Sequence, residues 1–455
     1  MNGAWNRCHS RRAVGRLAIL GLALAATLSL AACESLNQAF NPPPKLADQD
    51  ITDAYIYLLG RMLVVRQEQR DLGSDFKWNQ VIHREPGDLS RANPNLDVAY
   101  SEAWIAVDPS SCTLVTVPSI KDRYYTIQML NGWGETTANI NERTFPEHPS
   151  GQFALCLKGA NVLLESSVQR IDLPSRKSRV LMRVELGADP ARAVKLQRKI
   201  TLIATGTPVI DPTFDQPDFS DDNLPGVEAF DRAETLLASE PDINPGMEQV
   251  QAKLHEVVAA AADPKQRAHV EQVIREQSIP QFHADLQKLG TSRDGWDRWS
   301  TMGNYGADYV ARSAVDFAGI WANNAGEVAV FKTNTDGEGA LLDGSQAYSM
   351  TFPKDQLPGS LARYFWSVTA VDAAKFQVVE NSLKRYRFNN QTKYKTNPDG
   401  SLTLVFASKR PASAAKSNWL PTPDGQNYYL TFRFFGPGQA ITAGEYFPPP
   451  LVKME

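Results

Sequence analysis

The alternation of hydrophobic and polar positions divides the chain into regions that predict strands and regions that predict helices. The stretch "DITDAYIYLLGRMLVVRQEQR" has apolar residues at helical spacing, which predicts an amphipathic helix. From residue 97 to about residue 185, runs such as "DVAYSEAWIAVD" and "CTLVTVPS" alternate and are separated by Gly, Pro, Asn and Asp. This pattern predicts a β domain. Asp189 and Pro190 then form the start signal of a helix.

The second half of the chain changes from helical to β-type periodicity. Residues 208–225 are rich in Pro and Asp and predict a linker. In the helical region that follows, two apolar stripes are expected to face the core. They consist of Met247, Val250, Leu254, Val257 and Ala261, and of Tyr305, Tyr309, Phe317 and Ile320. From about residue 328 alternating runs return, and the Asp-Gly pairs in "LDGS", "NPDGS" and "TPDGQ" predict hairpin turns.

Together these patterns predict an α+β multidomain protein. It has an N-terminal mainly-β domain, a helical middle segment and a C-terminal jelly-roll-like β-sandwich. The length of 455 residues is sufficient for two or three domains. The expected boundaries are 1–32 for a signal peptide, 33–49 for a proline-rich tether, 50–207 for the β-rich domain, 208–325 for the linker and helical segment, and 326–455 for the sandwich.

The first 33 residues have the features of a bacterial lipoprotein signal. Arg11, Arg12 and Arg16 precede the apolar run "LAILGLALAATLSL", which is short for a membrane span. The run leads into "LAAC", where small residues precede the thiol of Cys33. We therefore expect cleavage before Cys33 and attachment to the membrane through a lipid on this residue. Glu34 favours the bacterial outer membrane, with the protein facing the periplasm. The general secretory and twin-arginine export routes both stay open.

The formal charge makes nucleic acid an unfavourable partner. The whole chain carries a net charge of −4, and removal of residues 1–32 takes away four arginines and no acid, which gives −8. Nucleic acid and anionic lipid headgroups repel a chain of this charge. The sequence therefore predicts no nucleic-acid partner, while a homo-oligomer remains compatible with it.

Two cysteines, Cys112 and Cys156, remain after the signal peptide and Cys33 are accounted for. Both lie in runs that predict strands. In an oxidising compartment we expect them to form a disulfide, which would add about 4 kcal/mol of stability by the chain-entropy estimate. The alternative is a pair of buried free thiols.

The stretch "RANPNLDVAY" contains the first candidate site, because a polar turn leads directly into a strand. If the strand begins at Asp97, one of its faces carries Val98, Tyr100, Glu102, Trp104 and Ala106. The core face then carries Ala99, Ala103, Ile105 and Val107. The first face places a carboxylate between two aromatic rings. Aromatic platforms with a few fixed polar groups suit sugars and small organic molecules.

A second polar and aromatic block follows, and its arginine could hold a ligand carboxylate. The ligand-binding candidates of the N-terminal domain are Asn95, Asp97, Tyr100, Glu102, Trp104, Arg123, Tyr124 and Trp133. A structural alternative is that Asp97 and Arg123 form an ion pair beneath the turn.

The C-terminal region offers four further candidates. A groove could be lined by Arg385, Tyr386, Asn418 and Trp419. The alternative is that Trp366 and Trp419 belong to the core of the sandwich.

The usual signatures of catalysis are missing from the sequence. It contains no Gly-x-Ser-x-Gly motif, no phosphate-binding or dinucleotide-binding glycine motif and no His-Glu-x-x-His motif. We therefore predict neither a cofactor nor a metal. Whether the protein is an enzyme stays open. The leading interpretation is a lipoprotein that binds a small organic or carbohydrate-like ligand. The alternatives are a hydrolase with an Asp or Glu general base and a structural envelope or assembly protein.

Two blocks of the sequence carry a family resemblance. The segments "NPNLDVAYSEAWIAVD", "VPSIKDRYYTIQMLNGWGETTANINERT" and "RVLMRVELG" resemble domain-of-unknown-function family 1254. The segments "LDGSQAYSMTFPKDQLPGSLARYFWSVTAVD", "SNWLPTPDGQNYYLTFRFFGP" and "GEYFPPPLV" resemble family 1214. The resemblance covers about residues 50–205 and 300–453. It implies a jelly-roll-like sandwich in the C-terminal block and no established activity or cofactor.

Overall fold

A long buried helix is the first element of the computed structural model, which describes residues 46–89, 94–211, 214–299 and 301–455. Helix α1 (Asp48–Leu72) is buried on all of its faces, so the prediction of an amphipathic helix is wrong. The Arg61 guanidinium on α1 donates to the Gly132 carbonyl at 2.9 Å. The Ile56 carbonyl accepts a hydrogen bond from the Ser313 hydroxyl at 2.7 Å. Helix α1 is therefore covered both by the N-terminal β domain and by the helical segment.

The N-terminal β domain consists of two sheets. The five-stranded antiparallel sheet has the order β1 (Ile82–His83), β2 (Val98–Ala106), β8 (Lys177–Glu185), β4 (Tyr125–Leu130) and β5 (Thr136–Ile140). The four-stranded sheet has the order β7 (Gln169–Leu173), β6 (Gly151–Leu157), β3 (Thr113–Val117) and β9 (Thr201–Ala204). Helix α2 (Pro190–Gln197) begins as predicted, and the Asp189 side chain accepts a hydrogen bond from the Arg192 amide at 3.0 Å.

The two N-terminal sheets share one apolar core, and a disulfide lies beside it. The core includes the predicted core face of β2 and, from the second sheet, Val115 and Phe153. Cys112 and Cys156 are joined by a disulfide, with their Cα atoms 4.5 Å apart. The predicted pairing of these cysteines is confirmed.

The middle of the chain is helical, as predicted. It contains α3 (Ala233–Ser239), α4 (Glu248–Ala262), α5 (Arg267–Val273), α6 (Ile279–Leu286) and α7 (Tyr309–Gly319). The first predicted apolar stripe is buried throughout. The second stripe is wrong as a description of α7, because this helix buries Arg312 and Asp316 while Phe317 is only half-buried. The periodicity of apolar residues could not reveal a buried face that contains charged side chains.

The C-terminal region also consists of two sheets. The six-stranded sheet has the order β10 (Thr291–Arg293), β11 (Trp296–Arg298), β12 (Val328–Thr333), β18 (Tyr428–Pro437), β14 (Ala362–Asp372) and β15 (Arg387–Asn389). The four-stranded sheet has the order β17 (Trp419–Leu420), β16 (Leu402–Phe406), β13 (Tyr348–Phe352) and β19 (Val452–Lys453). A short helix, α8 (Gln439–Thr442), follows β18.

The three Asp-Gly turns do not close hairpins, so that prediction is wrong. Each turn leads from a strand of one C-terminal sheet to a strand of the other, from β12 to β13, from β15 to β16 and from β17 to β18. The dipeptide favours a local reversal of the chain, but it does not determine which strand becomes the hydrogen-bonded partner.

The two C-terminal sheets share a second apolar core. Phe331 and Phe432 of the six-stranded sheet belong to it together with Leu404 and Phe406 of the four-stranded sheet. The prediction of an α+β protein with several sheets and a helical middle segment is confirmed. A closed or jelly-roll sheet is not identified among the strands that the structure describes.

Residues 49–455 form one compact unit. The predicted signal peptide, Cys33 and most of the predicted tether lie outside the described residues. Within the described ranges, no helix combines the length and apolarity that a membrane span needs. The same part of the chain contains no cluster of three or more His, Cys, Asp or Glu side chains that could hold a metal ion.

Candidate ligand-binding cleft

One wall of the candidate site is the outer face of the six-stranded C-terminal sheet. Alternate residues of β12 and β18, such as Phe331 and Phe432, point into the C-terminal core. The residues between them lie on the opposite face. Lys332 is the cross-strand partner of Thr431, and Val330 is the partner of Arg433. Since successive side chains of a strand point to opposite faces, these four residues form one continuous surface.

The facing wall belongs to the five-stranded N-terminal sheet. Tyr100 on β2 and Arg183 on β8 are cross-strand partners. The Arg183 guanidinium lies 5.4 Å from the centre of the Tyr100 ring. It also donates to the Gln128 side-chain oxygen at 2.6 Å. These contacts hold the arginine against the aromatic ring, so that the pair presents a flat and positively charged surface.

Residues from the helical segment and from the turn before β2 close the ends of this space. They include Pro94, Asn95, Trp299, Met302, Trp321 and Asn323. The enclosed volume is about 330 Å³. We call this space the interdomain cleft, because both sheets and the segment between them line it. Clefts at domain interfaces, with apolar walls and a few convergent polar groups, are the usual sites of small-molecule binding.

Positive charge dominates the interdomain cleft. Its lining contains three cationic side chains, those of Arg183, Lys332 and Arg433. Burial lowers the pKa of Lys332, and the neighbouring Arg433 guanidinium lowers it further. Burial also lowers the pKa of Arg433. Asp297 is the one carboxylate in the described lining; it is exposed and accepts a hydrogen bond from Ser292.

Of the candidates in the N-terminal domain, Asn95 and Tyr100 line the interdomain cleft. The Asn95 side-chain oxygen accepts a hydrogen bond from the Asp97 amide at 3.1 Å and so fixes the turn before β2. Whether the two residues contact a ligand stays a prediction. Asn93, Ala92 and Arg91, from the stretch that drew attention to this turn, lie outside the described residues.

Asp97 and Arg123 do not form an ion pair with each other, so this structural alternative is wrong. The Asp97 carboxylate instead accepts from the Arg387 guanidinium at 2.5 Å and from the Asn389 amide at 2.8 Å, so it joins β2 to the C-terminal sheet. Arg123 donates to the Glu185 carbonyl at 2.6 Å. It lines a second cleft of about 750 Å³, so Arg123 is separated from the site that contains Tyr100.

Three further ligand-binding candidates, Glu102, Trp104 and Tyr124, instead bond to other side chains of the protein. Burial acts to raise the pKa of Glu102, but the arginines Arg179 and Arg84 outweigh it and hold the pKa below its ordinary value. The Trp104 indole donates to the Asp71 carboxylate at 2.9 Å. The Tyr124 hydroxyl donates to the Glu327 carboxylate at 3.2 Å.

Trp133 and Trp104 are both buried, but only Trp104 contacts a residue of the cleft lining. The Trp133 indole donates to the Glu240 carbonyl at 3.3 Å, away from the cleft lining. Trp104 is not a cleft residue either, but its ring lies edge-on to that of Trp321 at 5.7 Å. Trp104 therefore supports an aromatic residue of the cleft wall, although it lies behind that wall.

The four C-terminal candidates do not line a common groove, and the polar groups of Arg385 and Asn418 bond to backbone carbonyls. Arg385 donates to the Trp419 carbonyl at 2.8 Å, and the Asn418 amide donates to the Lys395 carbonyl at 2.8 Å. Tyr386 is half-buried and lies outside the interdomain cleft. Trp366 belongs to the core of the two C-terminal sheets, whereas Trp419 packs beside a smaller apolar cluster.

Sequence reasoning missed the three cations and two of the tryptophans of the cleft. A signal for the cations was present. Lys332 in "VAVFKT" and Arg433 in "YLTFRFF" stand in the middle of runs that are otherwise largely apolar. A long charged side chain inside such a strand must reach a partner, water or a ligand, because burying it alone is unfavourable. Trp299 and Trp321 lie in irregular segments, where no periodicity indicates which way a side chain points.

Two family models match the regions that form the opposite walls of the cleft. Residues 78–204 match the family described as Protein of unknown function (DUF1254). Residues 327–439 match the family described as Protein of unknown function (DUF1214). No curated protein matches the chain.

Two solved bacterial structures are similar to the chain to different degrees. The crystal structure of the VPA0106 protein from Vibrio parahaemolyticus has a TM-score of 0.68 and 19% sequence identity, over 90% of this chain and 100% of that one. The structure of an uncharacterised protein from Burkholderia cenocepacia has a TM-score of 0.43 and 12% identity, over 88% of this chain and 87% of that one. At 19% identity, the likeness to the Vibrio protein shows the fold alone.

Proposed function

We propose that this protein, which carries a DUF1254 domain followed by a DUF1214 domain, binds one small organic molecule in the interdomain cleft. The observation that carries the proposal is the composition of the cleft walls. A space of about 330 Å³ is lined by aromatic side chains and by three cations that come from two different sheets. Ligand pockets of proteins typically measure about 300–1,000 Å³, so this cleft suits a small ligand.

Both domains are required for the proposed binding. Tyr100 and Arg183 belong to the DUF1254 domain, and Lys332 and Arg433 belong to the DUF1214 domain. Neither sheet alone encloses the space. The Asp97–Arg387 ion pair, between the same two domains, holds the two walls in register.

Blocking the cleft is expected to abolish ligand binding. Ala318 lines the cleft near the end of α7 and is exposed, so a larger side chain there enters the space without disturbing a core. We expect Ala318→Trp to have the melting temperature of the parent protein and to lose the ligand-induced rise in that temperature. Thermal-shift measurements with sugars, organic acids and aromatic compounds test this expectation.

The matched control for the blocking variant is Ala268→Trp. Ala268 is an exposed alanine on α5 and is not part of the cleft lining. This control should keep the full ligand response. The proposal fails if no compound stabilises the parent, or if Ala318→Trp responds to a ligand as strongly as the control does.

We further infer that the protein is a lipoprotein of the outer membrane and faces the periplasm. The sequence "LAAC" at residues 30–33 supports this inference. The disulfide between Cys112 and Cys156 is compatible with an oxidising compartment. Mass spectrometry of the protein extracted from membranes is expected to find Cys33 as the acylated first residue. An unmodified Cys33 or a retained leader would contradict the proposed location.

We also propose that the two C-terminal sheets form a jelly-roll-like sandwich. Its support is that the chain repeatedly passes from one C-terminal sheet to the other and that the two sheets share one core. Such double-sheet packing is typical of jelly rolls. A crystal structure in which the strand connections follow a different path would remove this prediction.

No specific observation favours the hydrolase or the assembly alternative. The Asp97 and Glu102 carboxylates, which the hydrolase alternative would use, are bound to the arginines Arg387 and Arg179. Although burial acts to raise the pKa of Glu102, Arg179 and Arg84 hold it below its ordinary value, which makes this carboxylate a weaker proton acceptor. A binding role therefore agrees better with the geometry than general-base catalysis at these residues.

A further inference from the structure

We propose that the molecule bound in the interdomain cleft is an organic anion, in the first place a carboxylate with a flat apolar body. This inference rests on the proposed binding function and adds the chemical class of the ligand. The carboxylate would lie between Lys332 and Arg433, and the apolar body would contact Tyr100, Trp299 and Trp321.

The two cations of the C-terminal wall lie close together. Lys332 and Arg433 are on the neighbouring strands β12 and β18, and their side chains lie on the same face. The direct partner of Arg433 is Val330, two residues before Lys332. At that separation their charges repel each other. The Arg433 side chain is buried and the Lys332 side chain is half-buried, so both cations are partly shielded from water. Burial lowers the pKa of Arg433 although Tyr100 and Asp97 act to raise it, whereas no carboxylate among the described residues raises the pKa of Lys332, so an anion beside Lys332 would reduce the repulsion.

Negative charge is scarce near Lys332. The Lys332 ammonium lies 5.2 Å from the centre of the Trp299 ring. Within the described ranges no carboxylate forms an ion pair with it, and none shifts its pKa. The carboxylate closest to it along the sheet is that of the exposed Asp297, which is its cross-strand partner on β11. Arg183 supplies a third positive charge from the opposite wall, so the formal charge of the cleft is positive.

A buried hydroxyl beside Lys332 also favours an anion. Thr431 lines the cleft and is completely buried, and its hydroxyl oxygen has no hydrogen-bond partner within the part of the chain that the structure describes. Thr431 is the cross-strand partner of Lys332. A hydroxyl donor beside an ammonium matches the acceptor oxygens of a carboxylate. The site therefore offers one donor to the anion besides its two cations.

The aromatic walls distinguish an organic anion from an inorganic one. A phosphate or chloride ion in the cleft would contact the rings of Tyr100, Trp299 and Trp321. It would not bury their apolar surface favourably. A flat apolar body can pack against these rings and remove them from water, which is favourable in proportion to the buried area. The combination predicts that an aromatic carboxylate binds more tightly than either its neutral analogue or an inorganic anion.

The test is isothermal titration of the purified protein with benzoate, benzamide, phenyl phosphate and inorganic phosphate at constant ionic strength. These probes separate the charge from the apolar ring and the carboxylate from the phosphate ester. We expect benzoate to bind at least about 10-fold more tightly than benzamide, since a hydrogen bond to a charged group is worth this factor or more.

The variants locate the binding. Lys332→Met is expected to weaken benzoate binding by about 10- to 100-fold while leaving benzamide binding nearly unchanged. Lys332→Arg should retain most of the affinity. Lys409→Met removes an exposed lysine of the same domain that is outside the cleft and serves as the matched control. Ala318→Trp should abolish all binding that occurs in the cleft.

The pH dependence of stability provides an independent readout of the unliganded site. The pKa of Lys332 lies below its ordinary value of 10.5 in the folded protein. The unfolded chain therefore holds this proton more tightly, and the charged lysine destabilises the fold at neutral pH. Arg183, Arg433 and Asp297 are the charged groups that face it. We expect Lys332→Met to melt at a higher temperature than the parent at pH 7, and the difference to shrink as the pH rises towards 10.5.

The outcomes separate this inference from the proposed function. If benzamide binds as tightly as benzoate, and Ala318→Trp loses both, the cleft binds a ligand but the anion inference is overturned. If phenyl phosphate or inorganic phosphate binds more tightly than benzoate, the carboxylate assignment is overturned. If no probe binds the parent protein, the inference is overturned for these ligands, and the wider thermal-shift panel decides on the proposed function. If Lys332→Met binds benzoate like the parent, the placement of the anion is overturned.

Discussion

Replacing Arg312 with methionine is expected to lower the free energy of unfolding by about 3–5 kcal/mol. The Arg312 guanidinium lies 2.9 Å from the Asp242 carboxylate and 3.4 Å from the Glu135 carboxylate, and the side chain is almost completely buried. It also lies 4.4 Å from the centre of the Trp133 ring. Methionine fills a similar volume, but it leaves two carboxylates in the interior without their cation.

The destabilisation should depend on pH in a specific direction. Asp316 is buried on the same helix, and burial raises its pKa well above the ordinary value even though Arg312 acts to lower it. Without Arg312, the pKa of Asp316 should rise further, because burial raises it and Arg312 is the group that acts to lower it. Carboxyl groups with raised pKa values destabilise the fold increasingly as the pH rises. The loss caused by Arg312→Met should therefore be larger at pH 8 than at pH 5.

Denaturant unfolding at the two pH values measures this effect. Arg192→Met is the matched control, since Arg192 is exposed and only its backbone amide makes the cap of α2. The control should stay within about 0.5 kcal/mol of the parent, as is usual for surface substitutions. A loss below about 1 kcal/mol for Arg312→Met, or a loss that does not change with pH, would show that this ion-pair cluster does not hold α7 in place.

Removing the disulfide is expected to cost about 4 kcal/mol by the chain-entropy estimate. Cys112 and Cys156 are separated by 44 positions in the sequence, so the bond restricts a long loop of the unfolded chain. Both residues are buried beside Ala154, and the double variant Cys112→Ala, Cys156→Ala leaves no polar group unsatisfied. The effect should therefore come mainly from the unfolded state.

The comparison of reducing and non-reducing conditions tests the disulfide. The parent should lose stability in the presence of a thiol reductant, and the double variant should be insensitive to it. Each single variant should resemble the double variant, because either change removes the bond. Equal stability of the parent with and without reductant, under conditions where free thiols are detected, would contradict a stabilising role.

Much of the fold could be predicted from local patterns. The alternation in β2 identified the core face of Ala99, Ala103 and Ile105. The apolar stripe of α4 and the cap at Asp189 were equally local signals. The buried faces of α1 and α7 could not be predicted in this way, because α1 is covered from several sides and α7 buries charged residues.

The candidate site was predictable only in part, for a geometric reason. Asn95 and Tyr100 stood out because a turn and a strand bring them together locally. Lys332 and Arg433 meet them only through the contact between two domains, more than 200 residues later in the chain. The sequence alone does not determine that contact. Asp97 shows the same limit, since its partner Arg387 is in the other domain.

A crystal structure of the protein soaked with benzoate tests the central claim most directly. The account predicts electron density for the ligand in the interdomain cleft. Its carboxylate should lie between Lys332 and Arg433, and its ring should lie against Tyr100 and the cleft tryptophans. A saturated crystal in which the cleft remains empty, or in which benzoate occupies only other surfaces, would contradict the account.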